Sequence, residues 1–383
     1  MNTNKKLLIG FLMICIFTIA SYGQDKSLKA YVIGFYNLEN LFDTINDPNK
    51  NDEQYLPNGD YSWGTLKYTN KLKRMSYAIS QMPKNLAILG VSEVENIDVL
   101  NDLVKEESIL ERDLKPILVE GPDRRGVDVG LLYNPNYFTP TNVTSTRIIS
   151  EIPNFYTRDQ LCVSGILDGE EIHVIVLHWP SRGGGQKRSN PRRADAAKTT
   201  KHICDSLFNI NPQAKIVIMG DLNDDPVDAS VTKYLGAKGT KDKVNPMELY
   251  NTTYQLYKKG IGSLAYQDMW NLFDQIIISH DFLGKDYNTL KFWKTEIFNK
   301  EFLKQQDGKY KGYPLRTHSG GVWTNGYSDH FPSLMWVVKY NSSTENGTAI
   351  KAKTENKTEA EAEVKNNHEE KIKQHEELHK ANK

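Results

Sequence analysis

Cysteine is scarce in this chain. There are three in 383 residues, with no Cys-x-x-Cys pair and no cysteine–histidine spacing of the zinc-binding kind. That excludes a dithiol redox motif and a zinc module. Net charge is missing as well, because 48 basic and 48 acidic residues cancel. No global field draws the molecule to nucleic acid or to a membrane, so any pull on an anionic substrate has to be local. No apolar run reaches the length that spans a bilayer; the run Leu7 to Ala20 has only 14 residues. Nothing repeats at a fixed period. What is present is an ordinary globular composition, 39% hydrophobic with ample aromatics for a core.

The 14-residue run follows Lys5 and Lys6 and precedes Ser21-Tyr22-Gly23. A basic start, an apolar stretch and small residues at its end form an export signal, with cleavage expected before Gln24. The alternatives are an uncleaved anchor or, through Cys15, a lipid anchor. Export places the mature chain in a periplasmic or extracellular compartment, with no span left in it. The two remaining cysteines, Cys162 and Cys204, are then free to pair or to stay as buried thiols. From 341 to 383 the chain is Lys, Glu, Asn, Thr and His with very few apolar side chains. Such a tail is expected to be solvated and partly helical, with a partner-binding helix as the alternative.

Between these ends one domain is expected, roughly residues 28–340. A strand is read over 29–38, a helix over 66–82 (Leu72, Met75, Ile79 and Met82 share a face), and a doubly buried strand over 86–91. A helix around 98–107 follows, then strands over 115–120, 127–133 and 144–150. Asp168-Gly169 sets a tight turn between strands 160–167 and 171–178. A helix is expected over 191–208, capped by Asn190 with Pro191 at its first position. Further strands cover 215–219, 273–279 and 331–338. Helices falling between buried strands predict an α/β sandwich, two sheets face to face with helices outside.

Five of these strands end in polar residues: Asn37-Leu38-Glu39, Ser92-Glu93, Asp221-Leu222-Asn223, Phe273-Asp274-Gln275 and Ser328-Asp329-His330. Polar groups gathered at strand ends from distant parts of a chain build sites on rigid scaffolds. Oxygen ligands with an imidazole suit a hard cation and phosphate-ester hydrolysis. Asp221 and Asn223, at i and i+2, point the same way. One would orient or deprotonate water, and the other would donate to a developing oxyanion. The same pair also suits a turn that simply closes the strand. His178, at the end of Val174-Ile175-Val176-Leu177, reads either as a site residue or as a core histidine. The stretch Ser181 to Arg193 carries Arg182, Lys187, Arg188, Arg192 and Arg193 with no acid and three glycines. It suits phosphate contact or a solvated loop.

Taken together these motifs resemble the endonuclease/exonuclease/phosphatase superfamily, which includes deoxyribonuclease I-like nucleases, exonuclease III-like repair endonucleases, sphingomyelinases and inositol-polyphosphate 5-phosphatases. The likeness runs from Tyr31 to Trp336 in the family's order. It implies a four-layer α/β/β/α sandwich of two mixed sheets. It implies that Asn37 contacts phosphate or metal-bound water, that Glu93 is the principal metal ligand, and that Glu39 stands where several members have an aspartate ligand. Arg158 resembles a phosphate-contacting arginine and His178 the acid/base histidine of the deoxyribonuclease branch. Asp221 and Asn223 match the water-handling pair, Asp274 the support of a catalytic histidine, and Asp329 and His330 the terminal pair, with Asp329 near metal. The implied chemistry is in-line attack of water on a phosphoester with Mg²⁺ or Mn²⁺; Ca²⁺ is compatible as a structural ion. The expected activity is a secreted, monomeric nuclease with no obligate protein partner. The alternatives are a phosphomonoesterase or phospholipid or inositol-phosphate phosphoesterase on the same fold, and a binding module that has lost catalysis.

Overall fold

Ile33 and Phe35 leave the first strand on one face, Val32 and Tyr36 on the other, and all four are buried. The same alternation holds where Val174 and Val176 oppose Ile175 and Leu177, and where Val217 and Met219 oppose Ile216 and Ile218. Unbroken apolar runs therefore mean strands with a core on each side.

The computed structural model describes residues 27–341. The expected export signal over 1–23 and the tail after Asn341 lie outside the described residues. The strands are β1 (Leu28–Leu41), β2 (Leu86–Val94), β3 (Lys115–Leu118), β4 (Asp128–Tyr133), β5 (Phe138–Thr146), β6 (Gln160–Leu167), β7 (Glu170–His178) and β8 (Ile216–Asp221). After them come β9 (Leu249–Asn251), β10 (Leu264–Tyr266), β11 (Met269–Asn271), β12 (Asp274–Ser279), β13 (Lys291–Ile297), β14 (His318–Ser319), β15 (Val322–Trp323) and β16 (Ser333–Tyr340). The α-helices are α1 (Thr65–Ser80), α2 (Ile97–Val104), α3 (Glu107–Leu110), α4 (Gln186–Ile210) and α5 (Tyr254–Lys258).

Two six-stranded sheets result, in the orders β13-β16-β1-β2-β4-β3 and β5-β6-β7-β8-β12-β9. Each has one parallel pair near its centre, β1 with β2 and β7 with β8; the other strand pairings in them are antiparallel. The inner faces share one core. Ile33, Phe35, Leu131, Met335 and Val337 of the first sheet cluster with Val176, Val217, Met219, Ile276 and Ile278 of the second. On the outer face of the first sheet, Leu72, Met75 and Ile79 of α1 and Leu100 and Leu103 of α2 pack on Val32, Leu89 and Val91. On the outer face of the second, Ala196, Ala197, Cys204 and Phe208 of α4 pack on Ile175, Leu177 and Ile218. The layers are α/β/β/α, as expected. Gly90 lets the sheets approach at the centre, since a Cβ there would lie 2.6 Å from Met219 Sδ.

This topology collects the strand-end residues. The C-terminal ends of both parallel pairs lie at one edge of the sandwich, carrying Asn37, Glu93, His178 and Asp221. β12 runs antiparallel to β8 and pairs its first residue, Asp274, with Asp221. β16 runs antiparallel to β1, so the residues just before it, Asp329 and His330, arrive at the same edge.

Three boundaries differ from the sequence reading. The strand expected over 144–150 is β5, which begins at Phe138 and ends at Thr146. It is a sheet edge, where Pro140 is tolerated beside a register shift, so its polar sequence hides it. Helix α4 begins at Gln186, not Pro191. Gly185 at φ 99° turns the chain into it, and Pro191 falls early enough inside to cost one backbone hydrogen bond. The helix around 98–107 breaks into α2 and the short α3. Cys162 and Cys204 are both free and buried.

Candidate active site

Strand ends alone do not aim side chains; local backbone does. In β1, where its regular pairing with β2 breaks off, Asn37 Oδ1 accepts from Glu39 N at 2.9 Å, with Glu39 at φ 50°. At the end of β8, Asp221 Oδ1 accepts from Asn223 N at 2.9 Å, with Asn223 at φ 52°. The two strands thus leave their regular pairing in the same turn, in which the side chain at i binds the backbone at i+2. Closing the strand and presenting a functional group are not alternatives here. One Asp221 oxygen closes the turn and leaves Oδ2 facing the site. Glu93 lies in a bulge where the β2–β4 register shifts, at φ 58°. A bulge re-aims a side chain, and Glu93 turns to its neighbours on β1, where Oε2 accepts from Asn40 N at 3.1 Å.

The centre of the cluster is the Asn37 amide. Its Nδ2 donates to Glu93 Oε1 at 3.2 Å and to Asp221 Oδ2 at 3.1 Å. His178 Nε2 stands 3.6 Å from Asp221 Oδ2 and 3.8 Å from Glu93 Oε1, too far for hydrogen bonds. On the other side His330 Nε2 lies 3.8 Å from the same Asp221 oxygen, while its Nδ1 is 2.6 Å from Asp274 Oδ2. Ser263 Oγ donates to that same Asp274 oxygen. Ser328 Oγ donates to Asn37 O at 2.7 Å and accepts from His330 N at 3.1 Å, tying the last loop to β1.

Burial sets the charges. It is the largest influence on Asp221 and raises its carboxyl to about 7, with Asp274 and Glu93 adding and His330 opposing. Burial works against a charged His330, but Asp274 and then Asp221 outweigh it and hold the imidazolium well above its ordinary range. Burial, followed by Arg158 and Arg125, pushes His178 well below it. The two histidines flanking Asp221 are therefore a cation and a neutral base.

The donor set fits a hard divalent ion. Ligand atoms of Glu93, His178 and Asp221 all lie within 4.8 Å of one another, and those of Asp221, Asp274 and His330 form a second such group. His178 Nδ1 has no hydrogen-bond partner, and Nε2 faces two carboxylates without bonding either. Glu93 would supply an oxygen to such an ion, with Asp221 Oδ2 close beside it.

The expected residues divide into those that meet and those that do not. Asn37, Glu93, His178, Asp221, Asp274 and His330 meet, and Asn223 adjoins them. One Asn223 amide hydrogen goes to Trp179 O at 2.9 Å, and the other is available. Glu39 turns away. Its oxygens accept from Thr317 N at 2.6 Å and Arg316 Nε at 3.3 Å, so it stands outside both ligand groups. Asp329 Oδ2 accepts from Arg316 at 2.9 Å, and its Oδ1 is 3.9 Å from His330 Nε2. Arg158 is buried behind the site; it donates to His178 O at 3.1 Å, Trp179 O at 2.6 Å and Asp123 Oδ2 at 3.2 Å. It braces the end of β7 rather than facing a ligand. Arg182 is bound by Asp224, Asp225 and Asp228 and covers the Phe273 ring at 4.5 Å. Its charge is neutralised inside the protein.

Sequence reasoning missed Arg316, which links Glu39 to Asp329 from a position 13 residues before the latter. It also missed Lys71 of α1, buried, donating to Thr317 Oγ1 and Tyr327 O at 2.6 Å each. Arg316 has no apolar run before it and so gives no strand-end signal. Lys71 sits on the buried stripe of a helix between Leu72 and Tyr68, and a lysine on an apolar stripe is a usable signal.

A family model described as Endonuclease/Exonuclease/phosphatase family matches residues 32–339. No curated protein matches the chain in sequence at a significant level. Among solved structures, a humanized D. rerio TDP2 carrying 14 mutations is similar, at TM-score 0.49 and 12% identity over 80% of this chain and 98% of that one. A family protein from Bacteroides thetaiotaomicron gives TM-score 0.48 and 16% identity over 82% of this chain and 100% of its own. A mannosyl-6-phosphatase from the same organism gives 0.47 and 16%, over 80% and 99%.

Proposed function

For a chain that belongs to the endonuclease/exonuclease/phosphatase family, and is by that membership a metal-dependent hydrolase of phosphoric esters, we propose the activity of an exported nuclease. It cleaves phosphodiester bonds of nucleic acid by in-line attack of water, with Mg²⁺ or Mn²⁺ held at Glu93. The observation that carries this reading is the convergence, at one sheet edge, of two hydrogen-bonded groups, Asn37 with Glu93 and Asp221, and Asp274 with His330, whose Asp221 Oδ2 and His330 Nε2 lie 3.8 Å apart.

Charge favours a diester. Glu39, Glu93, Asp221, Asp274 and Asp329 bring five carboxylates to this edge, against Lys71, Arg316 and His330. With a divalent cation bound these charges nearly cancel, and Arg158 and Arg182 are engaged by aspartates, so no free cationic clamp faces a monoester with nearly two charges, whereas a diester carries only one. The bound ion would polarise a phosphoryl oxygen and lower the charge the site must tolerate. The chain's own groups do the rest. Asp221 Oδ2 orients water and takes its proton. His330, held as a cation by Asp274, faces the oxygens that gain charge or gives its proton to the departing one. Asn37 holds Glu93 and Asp221 in register, and the spare Asn223 amide hydrogen is placed for a phosphoryl oxygen.

Purified protein incubated with Mg²⁺ or Mn²⁺ against single-stranded DNA, plasmid, RNA, sphingomyelin and inositol phosphates tests the reading. Hydrolysis of nucleic acid is expected. Turnover of lipid or of monoesters with no cleavage of nucleic acid would replace it with one of the other activities of the fold.

A further inference from the structure

Beside the catalytic group, and separated from it by one guanidinium, is a cavity of ≈ 300 Å³ that no step above uses. Tyr266, Tyr310 and Tyr313 line it together with Gln267, Gln305 and Arg316. Arg316 forms the shared wall, since the same side chain donates to Asp329 next to His330. A second connection is aromatic. Phe331, which follows His330, stacks on Trp270 at 6.1 Å and 16°; Trp270 lies 5.7 Å from Tyr313, and Tyr313 lies 5.5 Å from Tyr310. These rings run outward in a row from the catalytic histidine.

The fold does not account for the outer rings. Tyr266 is 65% exposed and Tyr310 47%, and neither packs into a core cluster. Exposed rings in a row beside a reaction centre offer flat faces to a flat ligand. The amides of Gln267 and Gln305 at the rim offer both donors and acceptors, which suits the edge of a heterocycle.

Resting on the nuclease reading, we propose that this cavity is the subsite for an unpaired nucleobase flanking the scissile phosphate. The Tyr310–Tyr313 row is the stacking surface. A base in a duplex is paired and stacked and does not enter a side cavity, whereas a base in a single strand or at a frayed end does. The enzyme therefore selects single-stranded or unpaired substrate. The tip of hairpin β10–β11 is polar, Gln267-Asp268, with the Asp268 carboxylate held by the Tyr313 hydroxyl at 2.6 Å, but Tyr266, Met269 and Trp270 beside it are exposed, so a lipid substrate is one of the arms of the test.

The test is a single-stranded oligonucleotide with one hydrolysable linkage, flanked either by thymidines or by abasic residues, given to the full chain with Mn²⁺. Wild type is expected to show a KM about tenfold lower for the base-flanked form, in line with the strength of base–aromatic stacking. That ratio should collapse toward one in Tyr310→Ala and in Tyr313→Ala and persist in Tyr310→Phe, which keeps the ring. Tyr310 is at the surface, so its variants test the subsite even where Tyr313→Ala does not fold. A ratio near one in wild type, or a ratio untouched by Tyr310→Ala, overturns the base subsite while leaving the nuclease reading in place. Hydrolysis of neither oligonucleotide, alongside turnover of sphingomyelin vesicles or a phosphomonoester, overturns both.

Discussion

Asp221 Oδ2 is the most contested atom of the site, facing the Asn37 amide, His178 and His330 at 3.1, 3.6 and 3.8 Å. As the proposed water base it fixes a pH dependence. Activity needs the carboxylate, so the rate should rise with pH up to about 7, where burial has pushed this group. A bound cation moves that limb lower. The alkaline limb belongs to His330, whose cationic form is held by Asp274 and lost only well above the ordinary histidine range. Asp274→Asn removes that support, so the alkaline limb should move to lower pH; the acid limb, set by Asp221, should also move down, because Asp274 is one of the charges that raise it. A kcat/KM profile of both proteins checks this; an alkaline limb at the same pH in the variant would show that His330 is not the group titrating. Most of these side chains were legible in the sequence because each stands beside an apolar run whose strand must begin or end at a sheet edge. Glu39, Arg158 and Arg182 have partners other than those the sequence suggested, for one reason. Spacing places a Cα, but the turn after it and the nearest counter-charge decide where a long side chain goes. Arg182 had three aspartates within reach in Asp224, Asp225 and Asp228, and the sequence showed them only as an acidic run on a different loop.

The helix α1 does more than cover a sheet. Its Lys71 reaches through to Thr317 and Tyr327 and so holds both ends of the segment that presents Arg316 and Ser328. Burial lowers Lys71 to about 8 and raises Glu39 to about 7, each opposed by the other's charge. Lys71→Met removes the cation and leaves Glu39 buried with less compensation, at a cost of about 3 kcal/mol. A fall in Tm with a rise in KM is expected, and an unchanged Tm would mean that the segment holds itself. In β2, Gly90→Val would push a side chain into Met219 and Val176 of the facing sheet. The expected loss is about 1–3 kcal/mol, read by urea unfolding, and Met219→Ala should relieve part of it. The elements that were legible are the doubly buried ones, where apolar runs are unbroken. The edge strand β5 and the start of α4 were not, because an edge needs no apolar run and the glycines ahead of α4 conceal where the helix begins.

The two sheets and their flanking helices followed from the alternation of buried runs with helical stripes, and the parallel pairs explain why one edge alone collects the site. The sequence left open whether Cys162 and Cys204 pair. Both are free, and burial pushes the Cys162 thiol up to about 11 and Cys204 in the same direction. Native protein should resist thiol reagents, and both thiols should react only on unfolding; rapid native labelling would contradict the packing of α4 on β7. The substrate was the least legible part, since zero net charge carries no global field and Arg182 proves to be internally paired. Cation-dependent diester hydrolysis at the Glu93–Asp221–His330 group is the central claim. The most direct measurement is cleavage of single-stranded DNA by wild type, Glu93→Gln and His330→Ala, with and without Mg²⁺. Cleavage only with the cation, and a loss of about 10³-fold or more in both folded variants, is predicted. Cleavage without the cation, or wild-type turnover by either variant, would contradict it.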